Sequence, residues 1–111
     1  MANYASNVLF SIDTALQLKN GVNEEIITTN RTLTYKDSTI QILKNTTGGI
    51  LNVVLPEYKS GVVFWIRCKG SSTTGISIQL PGGAGGVVNL AADDACLVAC
   101  DGTVWQTVIK A

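Results

Sequence analysis

The C-terminal stretch Cys96-Leu-Val-Ala-Cys100-Asp-Gly-Thr-Val-Trp105-Gln-Thr-Val-Ile109 places two apolar runs on either side of Asp101-Gly102. Asp-Gly favours a tight type I′ turn, because both central residues of that turn need a positive φ. The stretch therefore predicts a β-hairpin that closes the chain.

The same alternation of short β-prone runs with Gly, Pro or Asn recurs upstream as far as residue 32. Further strands are predicted at residues 32–35, 39–44, 50–55, 62–68, 76–80 and 87–90. Residues 45–49 read as a hairpin loop between two of these strands. A total of about 8–10 short strands at intervals of about 8–12 residues is typical of an all-β sandwich or small barrel.

The run 62–68 shows how the alternation assigns faces. Successive side chains of a strand point to opposite sides of the sheet. The face that we expect in the core therefore carries Val62, Phe64, Ile66 and Cys68. Trp65 and Arg67 take the opposite face, where Trp65 lies over the sheet or at a subunit contact.

Residues 1–30 differ in pattern from the rest of the 111-residue chain. Val8, Phe10 and Ile12 alternate as in a strand, but no long helical period follows. We therefore divide the chain into an extended N-terminal arm, residues 1–30, with one or two short strands, and a β domain, residues 31–111.

Charge and composition narrow the classes of partner. The formal net charge is +0, and the basic residues are scattered, so we expect no binding to nucleic acid. No apolar run approaches the ~20 residues of a membrane span, and the N-terminus lacks the pattern of a signal peptide. With 46% hydrophobic and 14% charged residues, either some apolar surface meets a partner, or this is a small sandwich rich in Ala and Gly.

The three cysteines do not predict a cross-link. Cys96 and Cys100 on one strand would lie about 13 Å apart, whereas a disulfide needs Cα atoms within about 7 Å. We expect Cys96, Val98 and Cys100 to form one reduced, apolar face, and Cys68 to be a small buried residue as well.

No pattern in the chain predicts catalysis, and we expect the protein not to be an enzyme. The chain contains no His, which excludes Ser-His-Asp and Cys-His sites. Glu24-Glu25 and Asp93-Asp94 are adjacent pairs, and neighbours on a strand point to opposite faces. A weak calcium site at Asp93-Asp94 would lack the usual spacing of calcium loops. We predict no metal and no cofactor.

Two further features could contact a partner. Pro81-Gly-Gly-Ala-Gly-Gly86 lacks the helix and the Gly-Lys-Ser/Thr pattern of a phosphate-binding loop, and we interpret it as a mobile or tightly turning surface loop. Trp65, Trp105 and Tyr58 could instead build a platform for sugars, although packing in the core or at an interface is the simpler role for them.

Several short sequence segments within residues 32–109 resemble those of small β-rich structural proteins of tailed bacteriophages, especially capsid decoration (cement) proteins. Similar modules occur in tail fibres. These segments are Asp37-Ser-Thr-Ile-Gln, Asn45-Thr-Thr-Gly-Gly, Val-Val-Leu-Pro56, Gly61-Val-Val-Phe-Trp-Ile66, Gly70-Ser-Ser-Thr-Thr and Leu97-Val-Ala-Cys-Asp-Gly-Thr-Val-Trp105. The resemblance implies a jelly-roll-like fold and a homotrimer on the outer capsid that braces neighbouring subunits of the major capsid protein.

We therefore expect a structural virion protein that is made in the host cytoplasm and ends on the capsid exterior. Its expected partner-interface residues lie in the arm and in the glycine-rich loop; they are Tyr4, Val8, Phe10, Ile12, Gly82, Gly83, Gly85 and Gly86. An arm that adds a strand to a neighbour's sheet edge would gain main-chain hydrogen bonds. The alternative is a receptor-binding or glycan-binding module of the tail-fibre type.

Overall fold

Short strands of this chain alternate between two β-sheets whose inner faces share one core. The computed structural model describes residues 21–111. The strands in that range are β1 (Val22–Ile27), β2 (Arg31–Thr32), β3 (Ile40–Asn45), β4 (Leu51–Val54), β5 (Val63–Cys68), β6 (Ile76–Gln79), β7 (Gly86–Leu90), β8 (Ala95–Cys100) and β9 (Trp105–Lys110). The prediction of an all-β fold with short strands is confirmed.

The sheets are mixed in strand direction. The five-stranded sheet has the order β1-β3-β5-β8-β9, and the four-stranded sheet has the order β2-β4-β6-β7. β1, β3 and β5 pair in parallel, as do β2, β4 and β6, so the chain winds through three turns of a flat coil. β7 pairs antiparallel with β6 and completes the four-stranded sheet. β8 pairs antiparallel with β5 and with β9 and completes the five-stranded sheet.

The loop 45–49 is a corner between the sheets, and its prediction as a hairpin was wrong. β3 and β4 belong to different sheets, so the loop carries the chain across the core. The buried Asn45 amide donates to the carbonyl oxygens of Gly49 at 2.9 Å and Gly75 at 2.8 Å. Its side-chain oxygen accepts from the amide and the hydroxyl of Thr47. One side chain thereby joins two successive corners of the coil.

The predicted closing hairpin is present as β8 and β9, but its turn differs from the predicted type. Cys100 pairs with Trp105, which leaves a four-residue loop from Asp101 to Val104. Gly102 has a φ of 100°, whereas Asp101 is absent from the residues with positive φ. The Asp101 carboxylate instead accepts hydrogen bonds from the backbone amides of Val104 and Thr103, which lower its pKa.

The core lies between the two sheets and follows the predicted alternation. Phe64, Ile66 and Cys68 are buried on β5, whereas Trp65 and Arg67 are exposed on its other side. Phe64 packs against a tryptophan of β9, with 6.1 Å between the ring centroids. The other core side chains are Ile27, Leu33, Leu43, Val53, Leu55, Ile76, Ile78, Leu90, Cys96, Val98, Cys100 and Trp105.

Polar side chains fill the space between the sheets at the first turn of the coil. Asn23 donates to both Glu25 and the buried Gln41, at 2.7 Å in each case. Arg31 then bridges Glu25 at 3.1 Å and Asp37 at 3.2 Å. The apolar core therefore ends in a hydrogen-bonded ionic network beneath the edge strands β1 and β2.

The described part of the predicted arm is residues 21–30, which contains β1. This strand pairs with β3 along all six of its residues and forms one edge of the five-stranded sheet. Tyr4, Val8, Phe10 and Ile12 lie outside the described residues. From residue 21 onward, the chain forms no helix of the length and apolarity needed to cross a membrane.

Candidate interaction surface

The outer face of the five-stranded sheet carries an apolar residue on every strand at the same level. The register aligns Val22 with Ile40, Ile40 with Trp65, Trp65 with Leu97, and Leu97 with Ile109. Neighbouring strands lie about 4.8 Å apart, so the line is about 19 Å long. We call these five residues the apolar row.

The apolar row is accessible to solvent. Val22 is 57% exposed, Trp65 40% and Ile109 49%, while Ile40 and Leu97 are half-buried by their neighbours. A Trp side chain can bury up to about 250 Å², so covering the exposed part of Trp65 would remove roughly 100 Å² from water. At about 25 cal/mol per Å², that burial contributes about 2.5 kcal/mol.

Two charged residues lie beside the apolar row, on the side towards the C-terminal ends of β1 and β5. Glu24 and Arg67 lie two residues beyond Val22 and Trp65 on the same outer face. Glu24 binds Lys69 at 2.5 Å, and this hydrogen bond lowers the pKa of the carboxyl group. Arg67 forms an ion pair with Asp93. Both charges nearest to the row are therefore paired within the chain.

A shallow hollow of about 140 Å³ lies beside the apolar row on the charged side. Residues of β3, β5 and β8 line it. The outer-face residues that line the hollow are Ile40, Ile42, Trp65, Arg67 and Ala95. Its size is close to that of the ~150 Å³ cavity that accepts benzene in an engineered protein, so one branched aliphatic side chain would fill it.

The outer face of the four-stranded sheet has a different character. Asn52 of β4, Ser77 of β6 and Asn89 of β7 lie in register across it, and both asparagines are exposed. Exposed Asn side chains remain well solvated, whereas exposed aliphatic and aromatic ones gain from being covered. The two outer faces therefore differ in the residues that align across their strands, which are apolar on the five-stranded sheet and polar on the four-stranded sheet, although Ile50 next to β4 is 63% exposed.

The glycine-rich loop lies on the side of the four-stranded sheet. Pro81–Gly83 forms a 3-10 turn, with a φ of 71° at Gly82 and 72° at Gly83. Leu80 accepts from the Gly83 amide and donates to Gly85, while Gly86 begins β7. Gly82 also borders an apolar groove of about 290 Å³ with Tyr35 and Pro56.

Trp65 and Trp105 cannot form one platform with each other. Trp65 projects from the outer face of the five-stranded sheet, whereas Trp105 is only 5% exposed and belongs to the core. Tyr58, which is 40% exposed, lies in the loop between β4 and β5. Of the three aromatic residues proposed for sugars, only Trp65 belongs to the candidate surface.

The acidic pairs and the cysteines are dispersed over the fold. Asp94 accepts a hydrogen bond from the Ala91 amide and so helps to form the turn before β8. The three cysteines are free and buried, and burial raises the pKa of Cys96 to about 11. Among residues 21–111, no group of three or more His, Cys, Asp or Glu side chains could hold a metal ion.

Sequence reasoning placed Trp65 on an outer face but missed the apolar row. Each strand's own alternation shows which residues share a side, but it does not show which residues align between strands. That alignment depends on the parallel register of β1, β3 and β5, which is set by long connections through the other sheet.

No family model, curated protein or solved structure matches this chain.

Proposed function

We propose that this chain is a structural virion protein, a capsid decoration or cement subunit of a tailed bacteriophage. It binds the outer surface of the head as a homotrimer and stabilises contacts between subunits of the major capsid protein. The observation that carries the proposal is the contrast between the apolar row on one sheet and the aligned polar residues Asn52, Ser77 and Asn89 on the other. The resemblance of residues 32–109 to such proteins is the basis for proposing a homotrimer on the capsid.

A subunit with one apolar and one polar face is suited to a layered assembly. Exposed apolar area of this extent is stabilised when a protein surface covers it, whereas the polar face stays in water. Trp65 lies at the third of five positions in the apolar row, and aromatic residues are enriched in the buried centres of interfaces. In this proposal the row is covered in the assembled virion.

Contact with the head involves the glycine-rich loop and the arm in this proposal. Gly82 and Gly83 have nothing within 4 Å of the position that a Cβ would occupy, so another backbone can approach them closely. The arm residues Val8, Phe10 and Ile12 supply a strand to an exposed sheet edge of the capsid. Three copies on one axis repeat each contact, so individually weak contacts give tight binding through multivalency.

The test uses phage heads that lack the protein and the purified full-length chain. We expect saturable binding to the heads and a higher temperature of head disruption once the sites are filled. F10D and a G82V/G83V variant should each weaken occupancy at least tenfold. N52A, which alters the polar face, is the matched control and should bind like the unaltered chain. Absence of saturable binding would refute the proposed function.

A glycan-binding module of the tail-fibre type is the second candidate. The observation that favours it is the exposed ring of Trp65 beside the hollow at Ile42 and Arg67. Sugars stack on such rings and accept hydrogen bonds from guanidinium groups. A glycan array in which selective binding disappears on W65A, but persists on Y58A, would favour this function over decoration of the head.

A further inference from the structure

We propose that a cavity between the β2–β3 and β4–β5 connections binds the carboxylate and the adjacent amide group of an N-acylated amino acid, the chemistry found at the carboxyl-terminal end of a peptide chain. The cavity has a volume of about 200 Å³. Tyr35, Asp37 and Thr39 line it from the first connection, and Lys59 and Gly61 line it from the second. We call it the Lys59 cavity. This site uses neither the apolar row nor the glycine-rich loop.

The first argument is an uncompensated positive charge. None of the ion pairs in the described part of the chain includes Lys59. Its ammonium group lies 5.4 Å from the centroid of the Tyr35 ring, and this cation–π contact holds the charge at the cavity. The Asp37 carboxylate also lines the cavity, but it pairs with Arg31 at 3.2 Å and accepts from the Thr34 amide at 2.7 Å. The Lys59 cavity therefore favours an anionic ligand.

The second argument is an open main-chain position at the start of β5. Trp65 donates its amide to the carbonyl oxygen of Thr39 at 2.8 Å, and the register of β3 with β5 begins at Ile40 and Trp65. The backbone groups of Val63 point to the same side as those of Trp65, because this direction alternates along a strand. Within the described range, no β3 residue is in register with Val63, which lines the cavity. Its N–H and C=O groups can therefore pair with the amide of a ligand.

The third argument is the size and shape of the cavity. A cavity of about 150 Å³ accepts benzene, so the Lys59 cavity accommodates one residue with a small apolar side chain. Val62 and Phe64 line it beside Val63 and offer apolar contact. The Tyr35 hydroxyl donates to the carbonyl oxygen of Glu57, which joins the two connections in the free protein. A preformed cavity of this kind lowers the entropic cost of binding.

These three features select the chemistry of the ligand. The carboxylate accepts a charge-assisted hydrogen bond from the Lys59 ammonium group, which is stronger than a bond between neutral groups. The ligand amide donates to the Val63 carbonyl and accepts from the Val63 amide. N-acetylvaline is the smallest probe that combines this carboxylate, this amide and a branched apolar side chain.

The first experiment titrates N-acetylvaline into the isotope-labelled full chain and follows the backbone amide signals by NMR. We expect saturable shifts centred on Gly61 and Val63. N-acetylvalinamide has the same shape without the charge, and acetate has the charge without the amide, so each should bind about tenfold more weakly. The absence of saturable shifts at Val63 would overturn the proposal, as would equal binding of either control compound.

The second experiment repeats the titration with variants of the two groups that bind the ligand. K59M removes the charge but keeps an unbranched side chain, and it should weaken the binding of N-acetylvaline about tenfold. K110M alters an exposed lysine at the end of β9, and as the matched control it should bind like the wild-type chain. Unchanged binding by K59M would refute the site.

V63P tests the main-chain contact, because it removes the amide at the first residue of β5, a position where proline is tolerated. It should weaken binding about tenfold. Circular dichroism verifies that each variant is folded, and if V63P does not fold, the result with K59M still decides. A folded V63P with wild-type affinity would contradict the pairing with Val63.

The acetylated tetrapeptide Gly-Gly-Gly-Val distinguishes a peptide end from a small N-acyl amino acid. A peptide end as the natural occupant predicts about threefold tighter binding than N-acetylvaline, because the preceding residues add contacts outside the cavity. Equal affinity supports the site and assigns it to small N-acyl amino acids. Binding of N-acetylvaline by a chain that does not occupy heads refutes the proposed function alone, whereas a chain that occupies heads without binding the probe refutes this inference alone.

Discussion

Trp105 donates its indole N–H to the carbonyl oxygen of Pro56 at 2.9 Å, although the two residues are 49 positions apart in the chain. This bond fixes the closing hairpin to the loop after β4, and the indole ring packs on Phe64. A single buried side chain thus connects the last strand with the middle of the chain.

Replacing Trp105 with Phe should lower the free energy of unfolding by about 2–3 kcal/mol. The Pro56 carbonyl loses its buried partner, and the smaller ring leaves a cavity beside Phe64. Urea denaturation followed by circular dichroism measures the change. Y58F, at an exposed position, should change the free energy by less than about 0.5 kcal/mol. Equal effects of the two variants would contradict this account of Trp105.

Replacing Asn45 with Ala should cost about 3 kcal/mol, because the carbonyl of Gly75 and the amide of Thr47 both lose a partner in a buried corner. The exposed Asn52 provides the matched control, and N52A should be nearly neutral. Thermal and urea unfolding of both variants gives the comparison. A small effect of N45A would mean that water replaces the amide at this corner.

Replacing Gly75 with Ala should destabilise the fold by about 2–3 kcal/mol. A Cβ at Gly75 would lie 2.4 Å from the backbone oxygen of Leu90, so β6 and the end of β7 would have to separate. At Gly48, by contrast, a Cβ meets nothing within 4 Å, and G48A should lie within about 1 kcal/mol of the wild-type chain. If G48A were as damaging as G75A, steric contact would not be the cause.

Acid should weaken the closing hairpin through Asp101. Hydrogen bonds from the amides of Val104 and Thr103 lower the folded-state pKa of Asp101 below its ordinary value of 3.8. The ionised Asp101 carboxylate therefore stabilises the folded state above pH 3.8. This stabilisation is lost as the pH falls through the folded-state pKa, because the carboxylate is then protonated. D101N keeps a side-chain acceptor but does not titrate.

The measurement for Asp101 is the urea midpoint of the wild-type chain and of D101N at pH 6 and at pH 2.5. We expect the wild-type chain to be more stable than D101N at pH 6, and the difference to shrink at pH 2.5. A difference that is the same at both pH values would show that ionisation of Asp101 does not stabilise the turn.

Local alternation predicted which side chains face the core. Phe64, Ile66, Cys96 and Val98 are buried as expected, because burial on one face of a strand depends mainly on the residues of that strand. The closing hairpin was predictable for a similar reason, since its two strands adjoin in sequence. The type of its turn was not predictable. The prediction assumed a two-residue turn with positive φ at both central residues, whereas the Asp101 carboxylate accepts hydrogen bonds from Thr103 and Val104 in a longer loop.

Relations between distant strands could not be read from the sequence. Asn45 to Gly49 looks like a hairpin loop when taken alone, and only the next strand's place in the other sheet makes it a corner. The apolar row depends on the same long-range register, which no short window of sequence contains. Candidate surface residues such as Val22 and Ile109 therefore emerged only with the folded structure.

The ionic network between Glu25, Arg31 and Asp37 has a consequence for the protein at high concentration. β1 and β2 are edge strands, and unprotected edges are templates on which further chains can polymerise into fibrils. A strand of another chain that paired with either edge would dehydrate these charges further, which opposes the pairing. Inward-pointing charge at both edges thereby opposes the pairing of further chains with β1 and β2.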